Sequence, residues 1–269
     1  MSLIVIITSS LLAFYLAKTV YARKATQLTR HNAFHKNIAG FIFFIIIAML
    51  GFVLRVLSLK YEYAYKLPLY PQAYAIEIFL FGLNSLVVYS STFLFLITLK
   101  EKQDRLSTSL AVLFIYMSLN SIYLYHTRSP QIKERQLNGV ILQSDPMSCA
   151  AASLANISHY FQMPQSERTC VNAIGTSVQG SSPAQIVLGA RKLDFEAKIV
   201  HNKTVEAIIF PAILFVDAPL GKEKHALVIM NKVNEFYEIW DPDKGRVYWS
   251  AEYLGSRWHG NGIEISPKT

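Results

Sequence analysis

Three residues of this chain, Cys149, His225 and Asp241, are of the types and in the order that thiol-based acyl chemistry requires. The first lies in Gln143-Ser-Asp-Pro-Met-Ser-Cys149-Ala-Ala-Ala-Ser-Leu154. Pro146 and Ser148 are helix-start residues, so Cys149 is expected in the first turn of an alanine-rich helix. There the helix dipole and unpaired backbone N–H groups favour a thiolate, the nucleophilic form. A thiolate that attacks a carbonyl creates an oxyanion, and fixed donors must hold that charge. The Cys149 N–H and the side-chain amide of Gln143 are the candidates. On this segment alone, a cysteine among alanines reads by default as a small buried hydrophobe.

The other two residues raise the case. His225-Ala-Leu-Val-Ile-Met230 and Phe236-Tyr-Glu-Ile-Trp240-Asp241 have the composition of two strands, joined by Asn231–Glu235 as a hairpin loop. Setting Met230 opposite Phe236 sets His225 opposite Asp241 on one face, ~5 Å apart between Cβ atoms. A carboxylate–imidazole bond would fix the ring and leave its other nitrogen for Cys149. A slip of one residue would break the arrangement.

These residues resemble the C39 family of bacterial peptidases, whose members process double-glycine leader peptides. The resemblance rests on Gln143 six residues before Cys149, on Cys149-Ala-Ala-Ala152, on His225 and on Asp241-Pro242, with Gly175–Ser182 and Leu188–Leu193 between them. It implies a papain-like α+β fold over residues 137–269, a Cys149/His225/Asp241 triad with Gln143 at the oxyanion, and cleavage after small residues. Ala150 stands where the family usually has Gly. The best-known members are fused to an exporter with an ATPase domain, and this sequence carries neither. A separate secretion system is then the expected supplier of peptide or protein substrate. Two alternatives share the Cys, His, Asp order: a degenerate domain that only binds peptides, and a transglutaminase-like thiol acyltransferase.

Other patterns point to no chemistry. Gly175–Ser182 has the glycine spacing of a phosphate loop but Ser181 where lysine belongs, which excludes nucleotide binding. Two cysteines form neither a disulfide framework nor a zinc motif, and His159, His201 and His259 lack metal-ligand spacing. Cys170 reads as structural, and no cofactor or metal is expected.

The elements that must carry this site are of two kinds. The net charge of +8 sits unevenly: residues 1–125 hold 11 Lys/Arg against four acidic residues, and the remainder 15 against 14. The excess lies beside apolar segments, which argues for membrane orientation and against nucleic acid. Four stretches, Leu3–Val20, Ile38–Leu59, Ala73–Leu99 and Leu106–Tyr125, approach the ~20 residues that cross ~30 Å of hydrocarbon. Tyrosines at 61, 63, 65, 70, 74, 123 and 125 mark their ends. The expected fold is an α-helical transmembrane region of about four helices over 1–125, a polar linker over 126–136 and the peptidase domain. Helices are expected at Ser148–Gln162 and Pro183–Leu193, and strands at Ala207–Val216, Ala226–Met230 and Phe236–Trp240. Lys18–Lys36 carries five basic residues and Lys100–Arg105 three, so both belong in the cytoplasm. A multi-pass protein of the bacterial cytoplasmic (inner) membrane, with an extracytoplasmic catalytic domain, is the expected result.

Overall fold

A computed structural model describes residues 2–24, 26–28, 32–58, 63, 66–100, 112, 114, 116–118, 120–121, 123–125, 127–218 and 224–268. The chain divides into two compact units, one of residues 1–57 and 74–126, the other of 58–73 and 127–269.

The first unit contains α1 (Ser2–Lys24), the single turn α2 (Ala33–Lys36), α3 (Ile38–Ser58, in this unit up to residue 57) and α5 (Ala75–Lys100). Of these, α1, α3 and α5 are long and apolar enough to cross a membrane. The expected fourth span lies mostly outside the described residues; those described between 112 and 125 are helical. Inside the unit Ala13, Ala17, Phe44, Tyr89, Phe93 and Ile97 form a core, while Ile4, Leu11, Phe43, Ile46 and Leu50 face outward. An apolar exterior around a small core is what a hydrocarbon solvent selects. Glycines bring the helices close: a Cβ at Gly51 would collide with the backbone of Phe79, and one at Gly82 with that of Ala48.

The second unit begins with α4 (Leu69–Ala73), which packs on α8 (Pro183–Lys192). A hairpin follows, β1 (Arg135–Leu137) and β2 (Val140–Leu142), turned by Asn138 and Gly139 at positive φ. Next come α6 (Cys149–Tyr160) and α7 (Glu167–Ile174), then α8. β3 (Phe195–Val200), β4 (Ala212–Asp217), β5 (Lys224–Val233), β6 (Phe236–Asp241), β7 (Gly245–Ser250) and β8 (Trp258–Pro267) form an antiparallel sheet in the order β3-β8-β4-β5-β6-β7. A helix, α9 (Ala251–Arg257), links the last two strands.

Alternation along β4 shows where the cores sit. Ile213 and Phe215 join Leu154, Ile157 and Ile186 under the helices, whereas Ala212, Leu214 and Val216 join Tyr237, Leu254 and Trp258 on the other face. A strand buried on both faces reads in sequence as an unbroken apolar run, as 212–216 does. The run predicted to start at Ala207 pairs only from Ala212, after a 3-10 turn at Val205–Ala207 and Pro211, which cannot donate to a ladder.

Residues 127–136, polar enough to read as a linker, lie along the second unit. The Val178 N–H donates to Arg128 O at 3.0 Å, Arg168 donates to Ile132 O at 2.8 Å, and Ile132 is buried. Short-range composition could not reveal these partners, which are distant in sequence.

The hairpin β1–β2 is held to α6 by one buried side chain. Asn156 accepts from Ile141 N–H at 2.7 Å and donates to Ile141 O at 2.9 Å. Asn156→Ala would strand both backbone groups inside the protein, and we expect a loss of about 2–3 kcal/mol in stability. Chemical denaturation of the full chain in detergent, followed by tryptophan fluorescence, would measure it.

Candidate active site

Cys149 is the first residue of α6 and is partly exposed. Ser148 precedes it as N-cap but does not cap: its hydroxyl donates to Asp145 O at 2.9 Å and accepts from Asp145 N–H at 3.1 Å. The turn at Asp145–Ser148 thus takes up the serine oxygen and leaves the first-turn N–H groups of α6 without a side-chain acceptor. Those are the donors a sulfur anion or an oxyanion at Cys149 would use.

His225 and Asp241 meet, though not by the register expected. The turn is shorter than Asn231–Glu235: Val233 pairs with Phe236 around Asn234 and Glu235, with Asn234 at positive φ. Lys232 then faces Tyr237 and Asn231 faces Glu238, but beyond a bulge Ile229 faces Ile239 and Val228 faces Trp240. The extra residue on β5 reverses side-chain parity. Without it, the ladder would put His225 and Asp241 on opposite faces; with it, they share a face two residues out of direct opposition. His225 Nε2 lies 2.7 Å from Asp241 Oδ1. The carboxylate also accepts from Asp243 N–H at 2.9 Å and is 2 % exposed.

The Asp241 bond leaves the other ring nitrogen of His225, Nδ1, free, and Cys149 is close enough to the ring to act on its charge. Burial disfavours the imidazolium, but Asp241 on one side and Cys149 on the other outweigh it and hold the His225 pKa up to about 9. For Asp241 burial likewise opposes charge, and the bond and charge of His225 still keep it below the usual carboxylate range. α6 is fastened to β5 beside this pair, because the buried Ser153 hydroxyl donates to Ala226 O at 3.2 Å. The helix of Cys149 and the strand of His225 are therefore linked one residue from His225.

Gln143 follows β2. Its N–H donates to Pro242 O at 2.8 Å and its C=O accepts from Arg135 at 2.9 Å, so its backbone is fixed to the segment that carries Asp241. Its side-chain Oε1 is buried without a hydrogen-bond partner. An unpaired buried amide oxygen is uncommon in folded proteins. The next residue is anchored by Glu167, fully buried, which accepts from Ser144 N–H at 2.9 Å and from Ser144 Oγ at 2.5 Å. Ser153, Asn156 and Glu167 were not identified from sequence. A signal was present for two of them: polar residues three apart on an otherwise apolar helix face must have partners when buried.

Cys170 sits in the core, with its thiol pushed up to about 12 by burial and the nearby Glu167. His201 bonds Asn261 and His259 bonds Asp217, each a local contact. Among the described residues no group of three His, Cys, Asp or Glu could hold a metal ion.

If the Gln143 amide acts on a developing oxyanion, Gln143→Ala should lower kcat by ~10²-fold or more with little change in KM. Steady-state kinetics on a cleavable peptide would show this, and a change confined to KM would assign Gln143 to substrate binding.

Comparison with known proteins finds a family. Residues 138–269 match the model of the Peptidase C39 family. Among solved structures, the chain is similar to a double glycine motif protease from an AMS/PCAT transporter in complex with the leader peptide (23 % identity, 52 % of this chain and 94 % of that one, TM-score 0.43). It is also similar to the peptidase domain of Streptococcus ComA, described as a bi-functional ABC transporter involved in a quorum sensing pathway (27 % identity, 47 % and 96 %, TM-score 0.43). A third is the N-terminal peptidase C39 like domain of the toxin secretion ATP-binding protein from Vibrio parahaemolyticus (21 % identity, 47 % and 99 %, TM-score 0.38). No curated protein matches the chain.

Proposed function

We propose that this chain, whose residues 138–269 form a domain of the Peptidase C39 family, is a membrane-anchored cysteine peptidase that cuts peptides or proteins after small residues of the double-glycine type. The observation that carries the reading is the 2.7 Å bond between His225 Nε2 and Asp241 Oδ1, with Cys149 close enough to the same ring to raise its pKa.

In this reading the Cys149 thiolate attacks the scissile carbonyl carbon, and the Cys149 N–H and Gln143 amide receive the oxyanion. The His225 imidazolium gives its Nδ1 proton to the leaving amine as the C–N bond breaks, which leaves a thioester on Cys149. Water then adds to the thioester and yields a proton to His225, and the acid product departs from a regenerated thiolate. Asp241 keeps the ring oriented throughout. If an amine replaced water in the last step, the product would be an amide; mass analysis with and without added amine separates hydrolysis from acyl transfer. A domain that only binds peptides would turn over neither.

The five basic residues of Lys18–Lys36 and the three of Lys100–Arg105 support a catalytic domain outside the cytoplasmic membrane, where it would mature peptides that a separate secretion system has delivered. An intact-mass comparison of secreted proteins from cells with and without Cys149 tests this reading. Shortened species that depend on Cys149 are expected; identical profiles would refute an export-linked substrate.

A further inference from the structure

The connection between α3 and α5 belongs to the catalytic unit, since residues 58–73 group with 127–269. Within that unit α4 packs on α8, Leu69 lies against the same apolar core as Cys149 and Val187, and Gln72 and Ala73 are buried. A five-residue helix has no stability of its own, so packing is what holds it.

We infer that α4 is a docking element that holds the catalytic domain on the membrane face to which the α3–α5 connection emerges, and that the chain must therefore cross the bilayer once more between Lys100 and Thr127. The inference rests on α3 and α5 spanning the membrane, for which both are long and apolar enough. The parity is simple. α3 delivers the chain to one face, α4 docks there, and α5 returns it to the other. The catalytic unit resumes at Thr127, so residues 101–126 must bring the chain back, and they are enough for the ~20 that a crossing needs.

This is independent of charge counting and says nothing of which face is outside. It adds that the active-site core is fastened to the span-connecting loop as well as to the residues that enter it at 127.

Single-cysteine labelling in the full-length Cys149→Ala chain tests it, because Cys170 is buried and unreactive. Tyr70→Cys reports the loop, Tyr248→Cys the catalytic domain and His35→Cys the α1–α3 connection; all three positions are exposed. With a membrane-impermeant thiol reagent on spheroplasts, Tyr70→Cys and Tyr248→Cys should label together and His35→Cys only after lysis. Should the first two label only after lysis while His35→Cys labels before it, the docking stands and the extracytoplasmic reading falls. Labelling of Tyr70→Cys and Tyr248→Cys from opposite sides, or of His35→Cys with Tyr70→Cys, overturns the inference. Docking itself is read by limited proteolysis: Leu69→Asp should lose protection of the catalytic domain, and exposed Tyr70→Asp should keep it. Equal protection in Leu69→Asp and the unaltered chain would also overturn it.

Discussion

Cys149→Ala should abolish peptide cleavage while leaving the fold in place. Every covalent step proposed above passes through the sulfur, so turnover should fall by on the order of 10⁴-fold or more. The fold should survive because the side chain is partly exposed at the start of α6 and the exchange removes little volume. Circular dichroism and a thermal melt of the full chain in detergent would verify that, alongside a product assay by mass spectrometry. Turnover undiminished in a well-folded Cys149→Ala chain would remove the thiol mechanism entirely.

Asp241→Asn should be nearly as damaging, by ~10³- to 10⁴-fold in kcat, since an amide cannot hold the His225 ring with the same charge and tautomer. It also carries a signature in pH. The His225 pKa stands at about 9, above its ordinary 6.5, so the imidazolium that protonates the leaving amine is lost as pH rises through about 9. The alkaline limb of kcat/KM in the unaltered protein should fall there, and in Asp241→Asn it should move to lower pH because a raising influence is gone. The same displacement makes His225 a source of stability that is complete below about pH 6.5 and lost as pH rises towards 9. Asp241 acts in the opposite sense: its lowered pKa contributes stability above the ordinary carboxylate range that is lost as pH falls. An alkaline limb unmoved by Asp241→Asn would show that the carboxylate does not control the ring.

Much of this was written in local pattern. Pro183 with Ser182 and Gln185 forms a capping box that starts α8 at the expected residue, and Pro146 and Ser148 place the start of α6 within one residue. The order of His225 and Asp241 led to two residues that the structure joins by a hydrogen bond. What could not be read was geometry decided by small backbone irregularities. The bulge between Ile229 and Asn231 and the two-residue turn at Asn234–Glu235 offset one another in side-chain parity, so the expected pairing of His225 with Asp241 emerged from a different register. Both sides of that error are invisible to alternation, which counts residues and cannot see an extra one. The Asn138–Gly139 turn, by contrast, carried a plain dipeptide signal that went unused. β8, which lies between β3 and β4, was missed because Gly260, Asn261 and Gly262 dilute its apolar content. The docking of α4 is a contact between segments more than a hundred residues apart, which no window along the chain can register.

The most direct test of the central claim is the cleavage position in a synthetic peptide. The full-length protein in detergent, incubated with a peptide that carries a Gly-Gly leader junction, should release a fragment whose intact mass ends at the second glycine. The Cys149→Ala chain should leave the peptide whole. An uncut peptide, or a cut of the same position and rate with Cys149→Ala, would contradict the account.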